Sequence, residues 1–123
     1  MGLDQYVFAT KTPISKKIGF KSPKSLKELH YWRKHPNLHG WMENLWLQKG
    51  GEGTFNCCNL KLSIEDLEQL ERDILAKKLP KTDGFFFGNS RNSEEEISND
   101  LLFVNKAKKS IQKGETIFYT SWW

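Results

Sequence analysis

The sequence has little cysteine and no long apolar run. Its two cysteines, Cys57 and Cys58, are adjacent. Vicinal disulfides are strained, and a zinc site needs further ligands at regular spacing, so we expect two reduced thiols. No stretch approaches the roughly 18 apolar residues of a membrane span, and the first residues lack the charged-then-apolar pattern of a signal peptide. These absences favour a protein of a reducing, cytoplasmic compartment with no membrane segment.

The common catalytic motifs are also missing. There is no glycine-rich phosphate loop, no dinucleotide fingerprint, no HExxH and no nucleophile elbow. His35 and His39 stand four residues apart, which could place two imidazoles on one helical face, but no third metal ligand is indicated. We therefore expect no metal and no cofactor. Whether the chain is an enzyme is left open with a leaning towards no, and a His39 general base is the less favoured alternative.

What the chain does contain is rings and basic residues. Its 123 residues are enough for one domain, 1–123, with a single core. Apolar residues make up 37% of the chain, yet five Trp and eight Phe bring the aromatic share to 13%, which predicts a small, ring-rich core. The net charge of +4 favours acidic partners, although the same excess can serve solubility alone.

Hydrophobic periodicity predicts an α+β fold. The first and last apolar segments, Leu3–Thr10 and Glu115–Trp123, are expected to be paired strands. The segment 11–24 is predicted to be a loop whose lysines either reach a ligand or stay solvated. The expected fold is a small, mainly antiparallel sheet, with the N- and C-terminal strands paired, packed against about four helices. These helices are predicted over Lys24–Lys34, from Pro36 onward, from Ile64 to about Lys78, and after Ser93.

Two further segments are less regular. Residues 54–62 predict a weak strand that contains the two cysteines. The run KTDGFFFG, residues 81–88, predicts a short buried strand or a turn that places phenylalanine rings against the core. A stacking wall for a planar ligand is the alternative for one of these rings.

The most chemically dense stretch is YWRKHPNLHGWMENLW, residues 31–46. Its basic residues are expected to cluster at the elbow between two helices, where Arg33 could bind phosphate in bidentate fashion. The helix N-terminus near Pro36 would add backbone donors. Equally, the tryptophans could be core, the cations exposed, and His39 a buried hydrogen-bonded residue. The predicted ligand-binding residues are Trp32, Arg33, Lys34, His39, Trp41, Thr82 and Phe86.

Four fragments carry a resemblance: the opening MGLDQY, WRK followed by HGW, LPKTDGFFFG, and the closing SWW. Together they resemble a family of small uncharacterised proteins of tailed bacteriophages. The lysine-rich loop at 11–24, the GGEG link and the extra final Trp123 depart from that family's pattern. The resemblance implies a phage accessory protein acting in the host bacterial cytoplasm. It marks as positions of interest Trp32, Arg33, Lys34, His39, Trp41, Thr82, Phe86, Gly88, Ser121 and Trp122.

The leading hypothesis is therefore a phage accessory protein that binds a small anionic, nucleotide-like ligand, with the countering of a host-defence signal as its purpose. The alternative is an inhibitor or modulator of a host enzyme that docks through Trp122 and Trp123, because tryptophan is favoured at binding hot spots. A nucleic-acid partner is ranked as unlikely, because the basic residues are scattered along the sequence. Exposed tryptophans are also compatible with a homodimer.

Overall fold

In a computed structural model of the protein, residues 2–82 and 93–123 are described, and they form four strands and three helices. The strands build one antiparallel sheet in the order β2-β1-β4-β3. The α+β class is thus confirmed, with three helices in the described residues rather than about four. The elements are β1 (Asp4–Thr10), β2 (Lys27–Arg33), α1 (Pro36–Gln48), β3 (Leu60–Leu62), α2 (Ile64–Leu75), α3 (Glu94–Gln112) and β4 (Thr116–Trp122).

The two terminal strands lie side by side in the middle of the sheet, as the sequence predicts. They pair in register from Asp4 opposite Trp122 to Thr10 opposite Thr116. Strand β1 alternates, with Val7 and Ala9 buried and Phe8 between them half-buried, whereas β4 buries three consecutive residues, 117–119. Aromatic and β-branched side chains suit such a pleated surface.

The predicted helix over Lys24–Lys34 is wrong, because residues 27–33 form the edge strand β2. Glu28 stands three residues after Ser25, the spacing of a helix capping box, but it lies opposite Phe8 in the ladder with β1. The apolar spacing that suggested a helix is also compatible with alternation, since Trp32 is buried while its neighbours Tyr31 and Arg33 are exposed. Pairing with β1 decides between the two patterns, because tertiary contacts override a weak local preference.

The other three predicted helices are confirmed at their starts. Pro36 occupies the first turn of α1, where its fixed φ is favourable and its missing N–H costs nothing. Ser63 and Asp66 form a reciprocal capping box at α2, which ends at Leu75, a few residues before the predicted limit. Ser93 accepts a hydrogen bond from the backbone N–H of Glu96 at the start of α3.

The helices pack against one face of the sheet, and rings supply much of the buried area there. Trp32 of β2 meets Phe103 of α3 edge-on at 4.8 Å between ring centroids, and Trp46 of α1 lies 4.9 Å from Phe55. The helix residues of this core include Leu38, Met42, Trp46, Leu67, Leu70, Ile74, Phe103, Val104 and Ala107. The ring-rich core is therefore as predicted.

The segments between these elements can be compared with the remaining predictions. Residues 11–24 form a loop with one isolated bridge, between Ile18 and Leu60. The weak strand predicted over 54–62 shrinks to β3, Leu60–Leu62. Of the predicted 81–88 segment, Lys81 and Thr82 lie in neither helix nor strand, and the phenylalanine run lies outside the described residues.

Candidate functional site

One end of the sheet carries a cleft of about 400 Å³. Asp4 begins β1 and pairs with both Arg33, at the end of β2, and Trp122, at the end of β4. Because neighbouring residues in register place their side chains on the same face, an acid, a guanidinium and an indole meet there. The cleft is lined by Gly2, Asp4, Arg33, Trp122 and Trp123, and we call it the Arg33–Trp122 cleft.

Arg33 presents its charge to solvent at this cleft. Its side chain is 61% exposed, and its Nε lies 3.8 Å from Oδ1 of Asp4. The same oxygen accepts a hydrogen bond from the Tyr31 hydroxyl at 2.7 Å, which raises the pKa of Tyr31. An exposed pair at this separation contributes at most about 1 kcal/mol, so the guanidinium can exchange Asp4 for a stronger anion. Lys34 follows directly and is also exposed.

The two final tryptophans differ in their roles. Trp122 is 66% exposed, so one face of its indole is open to a planar partner. Trp123 is half-buried and held by three hydrogen bonds. Its backbone N–H donates to Oδ1 of Asn56, its carbonyl accepts from Nδ2 of Asn56, and its indole N–H donates to the carbonyl of Phe55. Trp123 therefore forms a fixed wall beside the freely accessible Trp122.

Behind the cleft lies a buried polar network centred on Gln5. Its Nε2 donates to the hydroxyl of Tyr119 at 3.1 Å and to the carbonyl of His35 at 3.2 Å, while its Oε1 accepts from the backbone N–H of His35 at 2.7 Å. The Tyr119 hydroxyl also lies 2.8 Å from Nδ1 of His39. This network connects β1 and β4 to the first turn of α1, so it positions the chain where β2 turns into the helix.

His39 is part of this network and not of the cleft. It is 2% exposed, with its ring stacked on Phe55 at 5.1 Å between centroids. Burial lowers its pKa from 6.5 to about 4 and raises the pKa of Tyr119. The imidazole is therefore neutral at physiological pH and enclosed by rings, which leaves it unsuited to holding a ligand's charge or to reaching a substrate.

Asp100 is a buried, hydrogen-bonded carboxylate that was not predicted from the sequence. Its Oδ2 lies 2.7 Å from Nε2 of His35, and its Oδ1 accepts a hydrogen bond from the indole N–H of Trp32 at 3.1 Å. All three side chains are buried. The available signal was its place on α3, three residues after Ile97 and four before Val104, which puts a carboxylate within the apolar stripe. Trp32 thus lies in the core rather than at a ligand.

The remaining predicted residues lie elsewhere. Trp41 donates its indole N–H to Oδ2 of Asp73 at 2.9 Å, on the side of α1 that faces α2. The backbone N–H of Thr82 donates to Oδ1 of Asn37 at 3.0 Å, next to α1. Phe86 lies outside the described residues. The structure therefore brings together Arg33 with Trp122 and Trp123, which the sequence had assigned to two different functions, with Lys34 next to Arg33 in the chain. Trp32, His39, Trp41 and Thr82 do not line this cleft.

Within residues 2–82 and 93–123, no group of three or more His, Cys, Asp or Glu side chains is arranged to hold a metal ion. In the same part of the chain, no helix combines the length and apolarity needed to cross a membrane. Comparisons with protein-family models, curated proteins and solved structures found no match. The functional argument therefore rests on the chemistry of the Arg33–Trp122 cleft.

Proposed function

We propose that the protein binds a small anionic, nucleotide-like ligand in the Arg33–Trp122 cleft. The observation that carries this proposal is that an exposed guanidinium and an exposed indole converge on one cleft although 88 residues separate them in the chain. A guanidinium recognises phosphate in bidentate fashion, and an indole face stacks on a base.

The rest of the cleft fits the same chemistry. The carboxylate of Asp4 can accept a hydrogen bond from a ribose hydroxyl or from an exocyclic amino group, both of which a nucleotide carries. Trp123 supplies a wall that its hydrogen bonds to Asn56 and Phe55 hold in place. The volume of about 400 Å³ lies in the range typical of small-molecule sites. Lys34 adds a second positive charge near Arg33.

The biological setting of this proposal comes from the sequence resemblance. A phage accessory protein in the host cytoplasm would meet nucleotide signals of the host's defence, and a binding protein without turnover could remove them from solution. This purpose extends the binding proposal and depends on it.

The test is titration of the protein with a panel of mononucleotides and cyclic dinucleotides. Binding is measured by calorimetry and by the quenching of tryptophan fluorescence. Arg33→Ala should weaken binding by about tenfold or more, because a charge-assisted bond contributes about 1.5–3 kcal/mol. Arg72→Ala is the matched control, since Arg72 is an exposed arginine on α2 that donates to Gln69, far from the cleft. Trp122→Ala should weaken binding, and Trp122→Phe should restore part of it.

Two results would contradict the proposal. One is the absence of binding to any nucleotide or to inorganic phosphate. The other is binding that Arg33→Ala and Arg72→Ala reduce equally, which would show a general charge effect rather than a site.

A second candidate function is favoured by the exposure of Trp122 itself. A ring that is 66% exposed is a suitable anchor for a protein partner, as in an inhibitor of a host enzyme. Trp122→Ala tests this better than removal of both final residues, because Trp123 is hydrogen-bonded to Asn56 and Phe55 and its loss would disturb the fold. A host protein that co-purifies with wild type, but not with Trp122→Ala, would support this candidate.

A further inference from the structure

The sheet face opposite the helices carries a row of aromatic side chains. Tyr6 and Phe8 of β1 stack with their rings 5.6 Å apart and only 8° from parallel. Tyr31 of β2 lies 5.1 Å from Tyr6, and Trp122 of β4 stands at the end of the same face, opposite Asp4. Three adjacent strands thus present rings on one side.

This face is open over much of its area. In the described parts of the chain, the three helices pack on the other side, against residues such as Val7 and Tyr119. The loop 11–24 packs on part of this face, where Phe20 meets Phe118 edge-on at 5.3 Å. Tyr31 remains 42% exposed and Trp122 66% exposed. A shallow groove of about 460 Å³ lies on this face. Its lining includes Tyr6, Phe8, Phe20, Lys21 and Trp122.

The basic residues of the chain are concentrated in residues 11–34, a segment that contributes to the lining of this face. Residues 11–34 hold eight lysines and arginines against one acid, Glu28, whereas the rest of the chain holds eleven basic and fourteen acidic residues. The positive net charge therefore comes entirely from β2 and the loop before it. Lys21 lines the aromatic groove and, with Lys16 and Lys24, also lines a second groove that shares Phe20 and Ser22 with the first.

We propose that this face, which we call the aromatic sheet face, binds single-stranded nucleic acid. Bases stack on Tyr31, Trp122 and the Tyr6–Phe8 pair, and the phosphates follow the lysines of the 11–24 loop towards Arg33. An open four-stranded sheet with aromatic rings on adjacent strands can stack successive unpaired bases, and flanking cations track the backbone. At one end the proposal rests on the proposed function, because the Arg33–Trp122 cleft would hold one nucleotide of the strand.

The combination of features selects this occupant over others. A lone small nucleotide uses one ring and one cation, which leaves Tyr6, Phe8 and Tyr31 unexplained. A duplex hides the faces of its bases, so it could use the lysines but not the rings. The expectation that nucleic acid is an unlikely partner rested on the scattering of basic residues. In the fold, Lys16, Lys21 and Lys24 line the two grooves at this face, and Arg33 lines the cleft at its end.

The experiment is fluorescence anisotropy with labelled oligouridylates and oligothymidylates, from one nucleotide to about sixteen, the upper range of comparable sites. Affinity should rise with length beyond a single nucleotide, and the corresponding duplexes should bind more weakly. Tyr31→Ala should reduce affinity about tenfold, in line with the loss of one stacking ring. Tyr31→Phe keeps the ring, loses the hydroxyl bond to Asp4, and should bind nearly as wild type.

The role of the lysines is measured by salt dependence. The double variant Lys21→Gln with Lys24→Gln should reduce the magnitude of the slope of log affinity against log salt by about 1.4, because each phosphate contact to a single strand contributes about 0.7. The matched control is the double variant Lys106→Gln with Lys109→Gln, which removes the same charge from exposed positions on α3. The control should leave the slope unchanged.

The outcomes separate this proposal from the preceding one. Mononucleotide binding that depends on Arg33, with no gain on lengthening the strand, would overturn the aromatic sheet face and leave the cleft. Length-dependent binding that Tyr31→Ala reduces, without mononucleotide binding, would support the face and overturn the cleft as a separate site. Equal binding of duplex and single strand would overturn the stacking proposal. So would a homodimer that Tyr31→Ala dissociates without any oligonucleotide binding, since a second copy would then occupy the face.

Discussion

At the scale of single residues, His39 shows that the same type of side chain can belong to a binding site or to the buried core. The sequence left two possibilities open for it, a residue clustered with Arg33 and Lys34 at the elbow or a buried hydrogen-bonded residue. In the fold it faces inward from α1, with its ring against Phe55 and its Nδ1 at the Tyr119 hydroxyl. The difference follows from the direction in which one turn of helix points a side chain, which a run of neighbouring charges does not reveal.

The burial of His39 predicts how stability depends on pH. Its pKa is about 4 in the folded protein, below the ordinary 6.5, so the unfolded chain binds more protons between these values. Stability should therefore be retained above about pH 6.5 and lost progressively as the pH falls towards 4. Integration of the proton linkage predicts a loss of about 2 kcal/mol from this residue between pH 7 and pH 5. Urea denaturation at several pH values measures it.

The control for this prediction is the variant His39→Asn. Its side-chain amide does not titrate but can still form a hydrogen bond with the Tyr119 hydroxyl. The variant is expected to be less stable at neutral pH, yet its stability should fall less steeply on acidification than that of wild type. His30, whose pKa burial also lowers, is present in both proteins and cancels in the comparison. Parallel curves for the two proteins would contradict the prediction.

At the scale of elements, the sequence predicted those whose signals are local. Pro36 begins α1, the Ser63 and Asp66 capping box begins α2, and Ser93 begins α3, because each of these residues acts within one turn of its own helix. The segment that became β2 carries a local signal of the same kind, a Ser25 and Glu28 pair at capping-box spacing, but here the signal is misleading. Its state is decided by pairing with β1 through Tyr6 opposite Tyr31 and their neighbours, which lie far apart in the chain.

The sequence singled out some residues of the candidate site, but neither Asp4 nor the grouping of these residues. Arg33 and Trp122 stood out for their chemistry, but only the strand order β2-β1-β4 brings both beside Asp4. The aromatic sheet face was hidden for the same reason. Tyr6 and Phe8 look like ordinary strand residues and Tyr31 lay within a predicted helix, so the sequence did not show that their rings share the sheet face opposite the helices.

The contact between α1 and the segment after α2 makes a prediction about Gly40. A methyl group at this position would overlap the side chain of Thr82. Gly40→Ala should therefore destabilise the protein by about 1–3 kcal/mol, although alanine is the better helix former by about 1 kcal/mol. Chemical denaturation of the single variant measures this cost.

A double-mutant cycle separates the steric cause from helix propensity. In a Thr82→Gly background the overlapping atoms are absent, so Gly40→Ala should become neutral or stabilising. An equal cost of Gly40→Ala in both backgrounds would show that the contact with Thr82 does not limit the position.

At the scale of the whole molecule, the sheet depends on its last strand. Strand β4 lies between β1 and β3, and in the described residues β3 has no other strand neighbour. Three of its residues, Ile117, Phe118 and Tyr119, are fully buried. The chain therefore closes its core only when the two ends of the sequence meet, which makes the fold rich in contacts between distant segments.

This arrangement predicts that two changes in β4 differ strongly in their effect on folding. Deletion of residues 116–123 should abolish cooperative folding, because it removes both the partner of β3 and the buried rings of β4. Trp122→Ala changes the same strand, but its indole is mostly exposed, so the free energy of unfolding should stay within about 1 kcal/mol of wild type. Circular dichroism with urea denaturation measures both. If the deleted chain unfolded cooperatively with native-like helix content, the core would not require β4. If Trp122→Ala also unfolded, the tryptophan would be structural, and it could not be assigned to a ligand by the loss of binding alone.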